Sequence, residues 1–187
     1  MRGMTDLRRD ALRNQQELLR AATAAFYRDG LRVPMATIAA EAGVGIGTLY
    51  RHFATREELL SHLTHRSFEQ VLANAQAAER DSATAADCLQ LFIEAAISQR
   101  NELVLPLHGG PPVTAPETET LRAEIHDFVQ RVIDRGIADG TLRPDTTHQD
   151  IVAFGALLTQ PRPTDPDWDA TCRRLLTIFL RGIRQNG

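Results

Sequence analysis

The stretch AGVGIGTLYRHF, from Ala42 to Phe53, limits what this chain can fold into more than any other feature. Three glycines at alternate positions interrupt the preceding segment, and a short run with a tyrosine, an arginine and a histidine follows. Two local structures use glycine in this way. A dinucleotide-binding loop needs G-x-G-x-x-G between a strand and a helix. Gly43 and Gly45 fit its first two positions, but Thr48 stands at the third and the preceding MATIAAEA reads as helix. The phosphate loop ending in G-K-S/T is absent, because the chain has no lysine. The other structure is a pair of short helices crossing steeply. It needs a small residue where the backbones meet, a glycine able to take positive φ in the turn, and apolar plugs on either side. Ala39 is the small residue, Gly43 the turn, and Val44 and Leu49 the plugs.

Helical periodicity runs through the rest of the chain. Leu18, Leu19, Ala22, Ala25 and Phe26 recur at three- and four-residue spacing and Gly30 closes that helix. Pro34 suits the first turn of the next one. Thr55 caps a longer helix whose first turn holds Glu57 and Glu58, where acids complement the helix dipole. Further periodic segments follow around Cys88–Ala96, Leu121–Ile133, Ile151–Leu158 and Asp167–Arg184, the third of them capped by Thr146 or Thr147. The loops HGGPPVTAP and QPRPTDPDW separate them. The expected fold is all-α with about nine helices and no strand.

The charge is unevenly spread. Residues 1–56 carry nine arginines against five acids, a net of +4, while the remainder is −7 and the whole chain −3. A basic N-terminal third on an acidic body fits a nucleic-acid face on a non-binding scaffold. No stretch approaches the length of uncharged apolar chain that a membrane span needs, and the N-terminus lacks a secretory apolar core, so the expected location is cytoplasmic and no membrane partner is expected. Cys88 and Cys172 stand far apart and read as small core residues. In the last helix, Leu175, Leu176, Ile178, Phe179, Leu180 and Ile183 sweep roughly 200°, about twice the stripe of a helix with one buried face. A second covered face, against a partner subunit or the chain's own core, follows.

The run ELLRAATAAFYRDGLRVPMATIAAEAGVGIGTLYRHFATREELLSHL resembles the N-terminal DNA-binding domain of the TetR family of bacterial repressors. The segments IADGTLRPDTTHQDI and LLTIFLRGIR resemble the ligand-binding domains of some of these regulators. Pro34 stands where Ser or Thr is usual, Gly45 where Ser is frequent and Arg56 where Lys is common. The resemblance implies an N-terminal three-helix helix-turn-helix domain over residues 1–55, joined to a helical effector-binding and dimerisation domain over residues 56–187.

It also implies roles. The third helix would lie in the major groove, with Thr48 facing base edges, Tyr50 and His52 on phosphates and Arg51 able to do either. Thr37, Arg56 and the backbone at Gly45 are further phosphate candidates, and Gly47 completes the DNA-binding set. The partners would be double-stranded operator DNA with an inverted repeat, an unidentified small-molecule effector and a second copy of the chain. Phe68, Phe92, Leu103, His108 and Phe128 are candidate pocket residues, being aromatic or apolar groups plus one polar one. Ile151, Phe154, Leu158, Leu176, Phe179, Leu180 and Ile183 are candidate dimer-interface residues.

The competing readings are a helical small-molecule binding protein whose DNA binding has become weak, and a nucleotide-dependent enzyme. Retention of Thr48, Tyr50 and His52 favours DNA over the first. The second lacks a strand, and no catalytic residue can be named without a motif. His62 and His65 are one helical turn apart but have no third ligand nearby, so neither a metal nor a cofactor is expected.

Overall fold

The computed structural model describes residues 2–106, 110–160 and 165–185, with side chains described from residue 15 onward. Among them are eight α-helices: α1 (Arg2–Asp29), α2 (Met35–Glu41), α3 (Ile46–His52), α4 (Arg56–Asp81), α5 (Ala85–Gln99), α6 (Pro116–Ala138), α7 (His148–Leu158) and α8 (Trp168–Ile183). A 3-10 turn, Arg100–Glu102, follows α5, and eight α-helices stand among the described residues where the sequence suggested about nine. No strand forms among the described residues, where the only β pairing is an isolated bridge between Leu142 and Arg184.

Local chemistry sets most helix ends. The Thr55 hydroxyl accepts from the Glu58 amide at 3.0 Å and opens α4. Thr147 and Asp150 form a reciprocal capping box on α7. Pro34 sits just outside α2, at the N-cap with extended backbone, rather than inside its first turn; without a side-chain cap it contributes only a preset φ. Gly30 and Gly43 take φ of +82° and +67°, conformations that only glycine adopts at low cost.

Two hydrophobic cores result. The first joins α1, α2, α3 and the beginning of α4 through Leu18, Ala22, Phe26, Ile38, Leu49, Phe53, Leu59 and Leu63. The second joins the end of α4 to α5, α6, α7 and α8, through residues such as Ala75, Leu89, Ile93, Val129, Ile133, Ile151 and Leu176. Cys88 and Cys172 are buried within it as thiols, with no disulfide between them. Its tightest point is Gly136, where an added Cβ would lie 2.5 Å from Leu142 Cδ1 and 2.8 Å from the Ala85 methyl. That absence of a side chain lets α6 approach α5.

Candidate nucleic-acid interface and ligand cavity

The turn between α2 and α3 is closed by backbone bonds, Gly43 N–H to Ala40 O at 3.1 Å and Val44 N–H to Ala39 O at 3.0 Å. Ala39, 2% exposed, lies at the crossing, and Leu49, fully buried, anchors α3 from below. Anchoring Leu49 and Phe53 turns the opposite face of the helix outward. Tyr50 is 49% exposed, which removes the alternative of a core aromatic, and Arg51, His52, Gly45 and Gly47 are exposed beside it. Thr48 and Thr37 are half-buried, and the Arg51 guanidinium donates to the Thr48 hydroxyl at 2.9 Å. Ile46, 43% exposed at the start of α3, joins this face; sequence reasoning passed over it as a helix start, although an apolar group there suits a thymine methyl.

Arg56 does something its sequence position did not reveal. Its Nη1 donates to the carbonyls of Leu31 and Val33 at 3.0 and 2.6 Å, so the side chain braces the α1–α2 connection. Arg28 pairs with Asp29 and Glu41, tying α1 to α2. His62 faces the Phe53 ring at 5.4 Å while His65 Nδ1 meets the Thr118 hydroxyl at 2.9 Å, so the two histidines serve separate neighbours. Burial chiefly, and then Arg66, pushes the His62 pKa down.

The second core is hollow. A cavity of about 510 Å³ lies among α4, α5, α6 and α7, closed on one side by the segment after α5. Three of the candidate pocket residues, Phe68, Phe92 and Leu103, line it. Phe128 does not: it is buried behind Phe92, ring to ring at 5.3 Å in an edge-on arrangement, because it sits on the face of α6 that enters the packed core. His108 lies outside the described residues. Arg122, His126 and His148 on the cavity edge were not among the pocket candidates; Arg122 and His126 share α6, but His148 stands on α7, 22 positions beyond His126, and such a pairing leaves no local signal.

The interface candidates divide. Ile151, Leu158, Leu176 and Leu180 are each 3% exposed or less and belong to the chain's own core, so they present nothing to a partner. Phe154 and Phe179 stack at 4.0 Å and, with Ile183, are only partly covered. Leu157 and Ile178, 62% and 58% exposed, are the large apolar side chains left in water on α7 and α8.

One short segment, residues 100–106, joins α1, α4 and α8 to the cavity wall. The Tyr27 hydroxyl of α1 lies against the carbonyls of Arg100, at 2.5 Å, and Leu103. Burial raises its pKa to about 12. The buried Arg100 side chain pairs with Asp169 on α8, the Val104 amide donates to Ser67 of α4 at 2.8 Å, and the Val104 side chain enters the first core. Leu103, Leu105 and Pro106 meanwhile face the cavity.

Two short helices at a glycine turn, the second presenting a polar outer face, define a helix-turn-helix protein, here within a fold of eight helices among the described residues. Residues 18–63 match the family described as bacterial regulatory proteins, tetR family. A stretch of 61 residues is 38% identical to an HTH-type transcriptional regulator of Staphylococcus aureus, covering 32% of this chain and 33% of that protein. The chain spans about a third to a half of the length of the curated relatives it matches. Over 93% of its length it superposes on 96% of the ketosteroid transcriptional regulator KstR2 of Mycobacterium tuberculosis, with TM-score 0.72 and 24% identity. Over 90% it superposes on 99% of the regulator FadR of Bacillus subtilis, solved in complex with stearoyl-CoA, with TM-score 0.68 and 20% identity. At those identities the structural matches establish the fold. The family match is that of the helix-turn-helix domain: residues 18–63 carry the DNA-binding domain of the tetR family of bacterial regulatory proteins.

Proposed function

We propose that this protein is a homodimeric transcriptional repressor that binds an inverted-repeat operator in the cytoplasm and is released from it by a small molecule. The observation that carries the reading is the outward face of α3: Tyr50, Arg51 and His52 are exposed above a fully buried Leu49, and among the described residues the Arg51–Thr48 bond is the hydrogen bond their polar ends make. Thr48 and Ile46 would read base edges; Tyr50, His52, Thr37 and the backbone around Gly45 and Gly47 would hold phosphates. Arg56 would support them through the α1–α2 brace. The division of labour falls between residues 1–55 and 56–187, with α4 rooted in both cores. No helix among the described residues is long and apolar enough to cross a membrane.

Dimerisation would cover Phe154, Leu157, Ile178, Phe179 and Ile183, the apolar strip on α7 and α8 that the chain's own core does not reach. A two-fold axis there would present two copies of α3 to half-sites about 34–36 Å apart. The effector would occupy the 510 Å³ cavity, within the range of about 300–1,000 Å³ usual for small-molecule sites. FadR of Bacillus subtilis, which shares the fold, was solved with stearoyl-CoA bound, so the architecture accommodates a ligand in that relative. The signal would travel through residues 100–106, which meet the cavity on one side and Tyr27 and the first core on the other. A ligand that moves Leu103 shifts the seat of α1, and only differential affinity for the two arrangements can release DNA.

The test is binding of duplex DNA across a salt series. Wild-type affinity should fall steeply with salt, as phosphate neutralisation releases counterions. Arg51→Ala and Tyr50→Ala should bind more weakly. Equal binding by wild type and both variants would remove α3 from the interface and favour the second reading, a ligand-binding protein, which the cavity alone would support.

A further inference from the structure

The cavity wall is not uniform. Most of it is aliphatic or aromatic, whereas the charged and imidazole groups gather on one edge, where the first half of α6 meets the start of α7. Glu119, Arg122 and His126 succeed one another at three- and four-residue steps on α6, which places them in one row. The His126 and His148 rings lie 3.8 Å apart, tilted by 37°. The edge thus offers one guanidinium and two imidazoles against a single carboxylate, that of Glu119.

Glu119 does not close this edge to other acids. It holds Arg122 through Nε at 2.9 Å and through a second bond from Nη2, but both side chains are at least half exposed. Exposed pairs of this kind contribute little, so an incoming anion can take over the guanidinium at small cost. The nearest acid to the imidazoles, Asp127, stands 3.8 Å from His126 Nδ1 and is 73% exposed, on the solvent side. Among the described residues His148 Nε2 makes no hydrogen bond although the atom is buried. Burial, and then His126, lowers the His148 pKa, as expected of an imidazole with no acid beside it. An oxyanion arriving at this edge meets a planar guanidinium fork and imidazole N–H groups; an ammonium meets mainly the like charge of Arg122.

We propose that the ligand of this cavity is an apolar molecule ending in a carboxylate, its body against Phe68, Phe92 and Leu103 and its head at Arg122, His126 and His148. The inference rests on the reading of the cavity as the effector site and specifies which chemistry that site accepts. A single negative charge matches one arginine next to Glu119; a doubly charged phosphate would face Glu119 with too few cations.

Calorimetric titration of the full chain with decanoic acid, decan-1-ol and decylamine tests it. The acid should bind tighter than the alcohol by about tenfold or more, the scale of one charge-assisted hydrogen bond. The amine should bind more weakly than either. Arg122→Gln and His148→Gln should each narrow the acid-to-alcohol ratio. Gly155→Leu, placed where an added Cβ meets only Ile93 at 4.0 Å, should fill the cavity and abolish uptake of all three. Equal affinity for acid and alcohol, or a preference for the amine, overturns the carboxylate head and leaves the cavity as a ligand site. Acid binding that survives Gly155→Leu places the ligand elsewhere and overturns the inference. Failure of all three probes to bind overturns the head-group assignment and the effector site together.

Discussion

The two cores of this molecule are built on opposite plans. Around α1, α2 and α3, side chains such as Leu18, Ile38 and Leu49 are 1% exposed or less and fill the space between short helices. Around α4 to α7, long helices enclose a 510 Å³ void that Phe92 only partly occupies. Close packing transmits displacement, because a filled interior cannot absorb a shift without strain. A hollow one can take up a molecule. The difference suits a rigid head that must present α3 at a fixed angle and a body whose walls can move.

That contrast can be broken most directly by deletion of side chains. Leu49→Ala should cost about 2–5 kcal/mol, as for other fully buried leucines. Phe92→Ala, which removes more atoms, should cost less, because its ring already borders empty space. Urea unfolding of both variants decides it; a larger loss at Phe92 would mean that the second core is as tightly packed as the first. Within the second core the exception is Gly136. Gly136→Ala should destabilise by about 1–3 kcal/mol through overpacking against Ala85 and Leu142, and a neutral result would show that α6 can withdraw.

Smaller effects test the connection between the cores. Tyr27→Phe should lose about 0.5–1.5 kcal/mol with the hydroxyl contact to the segment after α5. It should also change the alkaline stability profile. The folded chain holds Tyr27 protonated up to about pH 12, above the unfolded value of about 10, so its contribution is complete below pH 10 and lost as pH rises from there toward 12. Burial raises the Cys88 pKa too, so both groups act in the same direction. The chain has no lysine to titrate in this window, and Tyr27→Phe should flatten the fall in stability between pH 10 and 12, leaving the part due to Cys88. An unchanged slope would detach Tyr27 from the account. On the DNA side, Tyr50→Phe should lower the salt slope of binding by about one unit if its hydroxyl holds a phosphate, while Thr48→Ala should reorder preference among operator variants. A uniform loss across variants for Thr48→Ala would contradict a base-reading role.

The first core was legible in the sequence because its defining contacts are local. Ala39, Gly43, Val44 and Leu49 lie within eleven residues, and each has a steric reason to be what it is. The helix cap at Thr55 was legible for the same reason, and the one at Thr147 to within a residue, since Thr146 was equally open. The rest depends on which side of a helix turns inward, and periodicity cannot decide that for a helix covered on two sides. In α8, Leu176 and Leu180 face the chain's own core while Ile178 faces water, although all belong to one apolar arc. The same ambiguity put Phe128 on the cavity wall when it stands behind Phe92. The His126–His148 edge joins two helices, and the Arg56 brace reaches back to Leu31 and Val33 across more than twenty residues; neither leaves a mark on its immediate neighbours.

The central claim is that the outward face of α3 reads DNA sequence. Selection of random duplex fragments by the purified protein at about 150 mM salt, near physiological ionic strength, followed by sequencing of the bound pool, tests it most directly. An enriched inverted repeat with half-sites about one helical turn apart is the expected result. A pool with no shared sequence, retained only through salt-sensitive contacts or not at all, would contradict it.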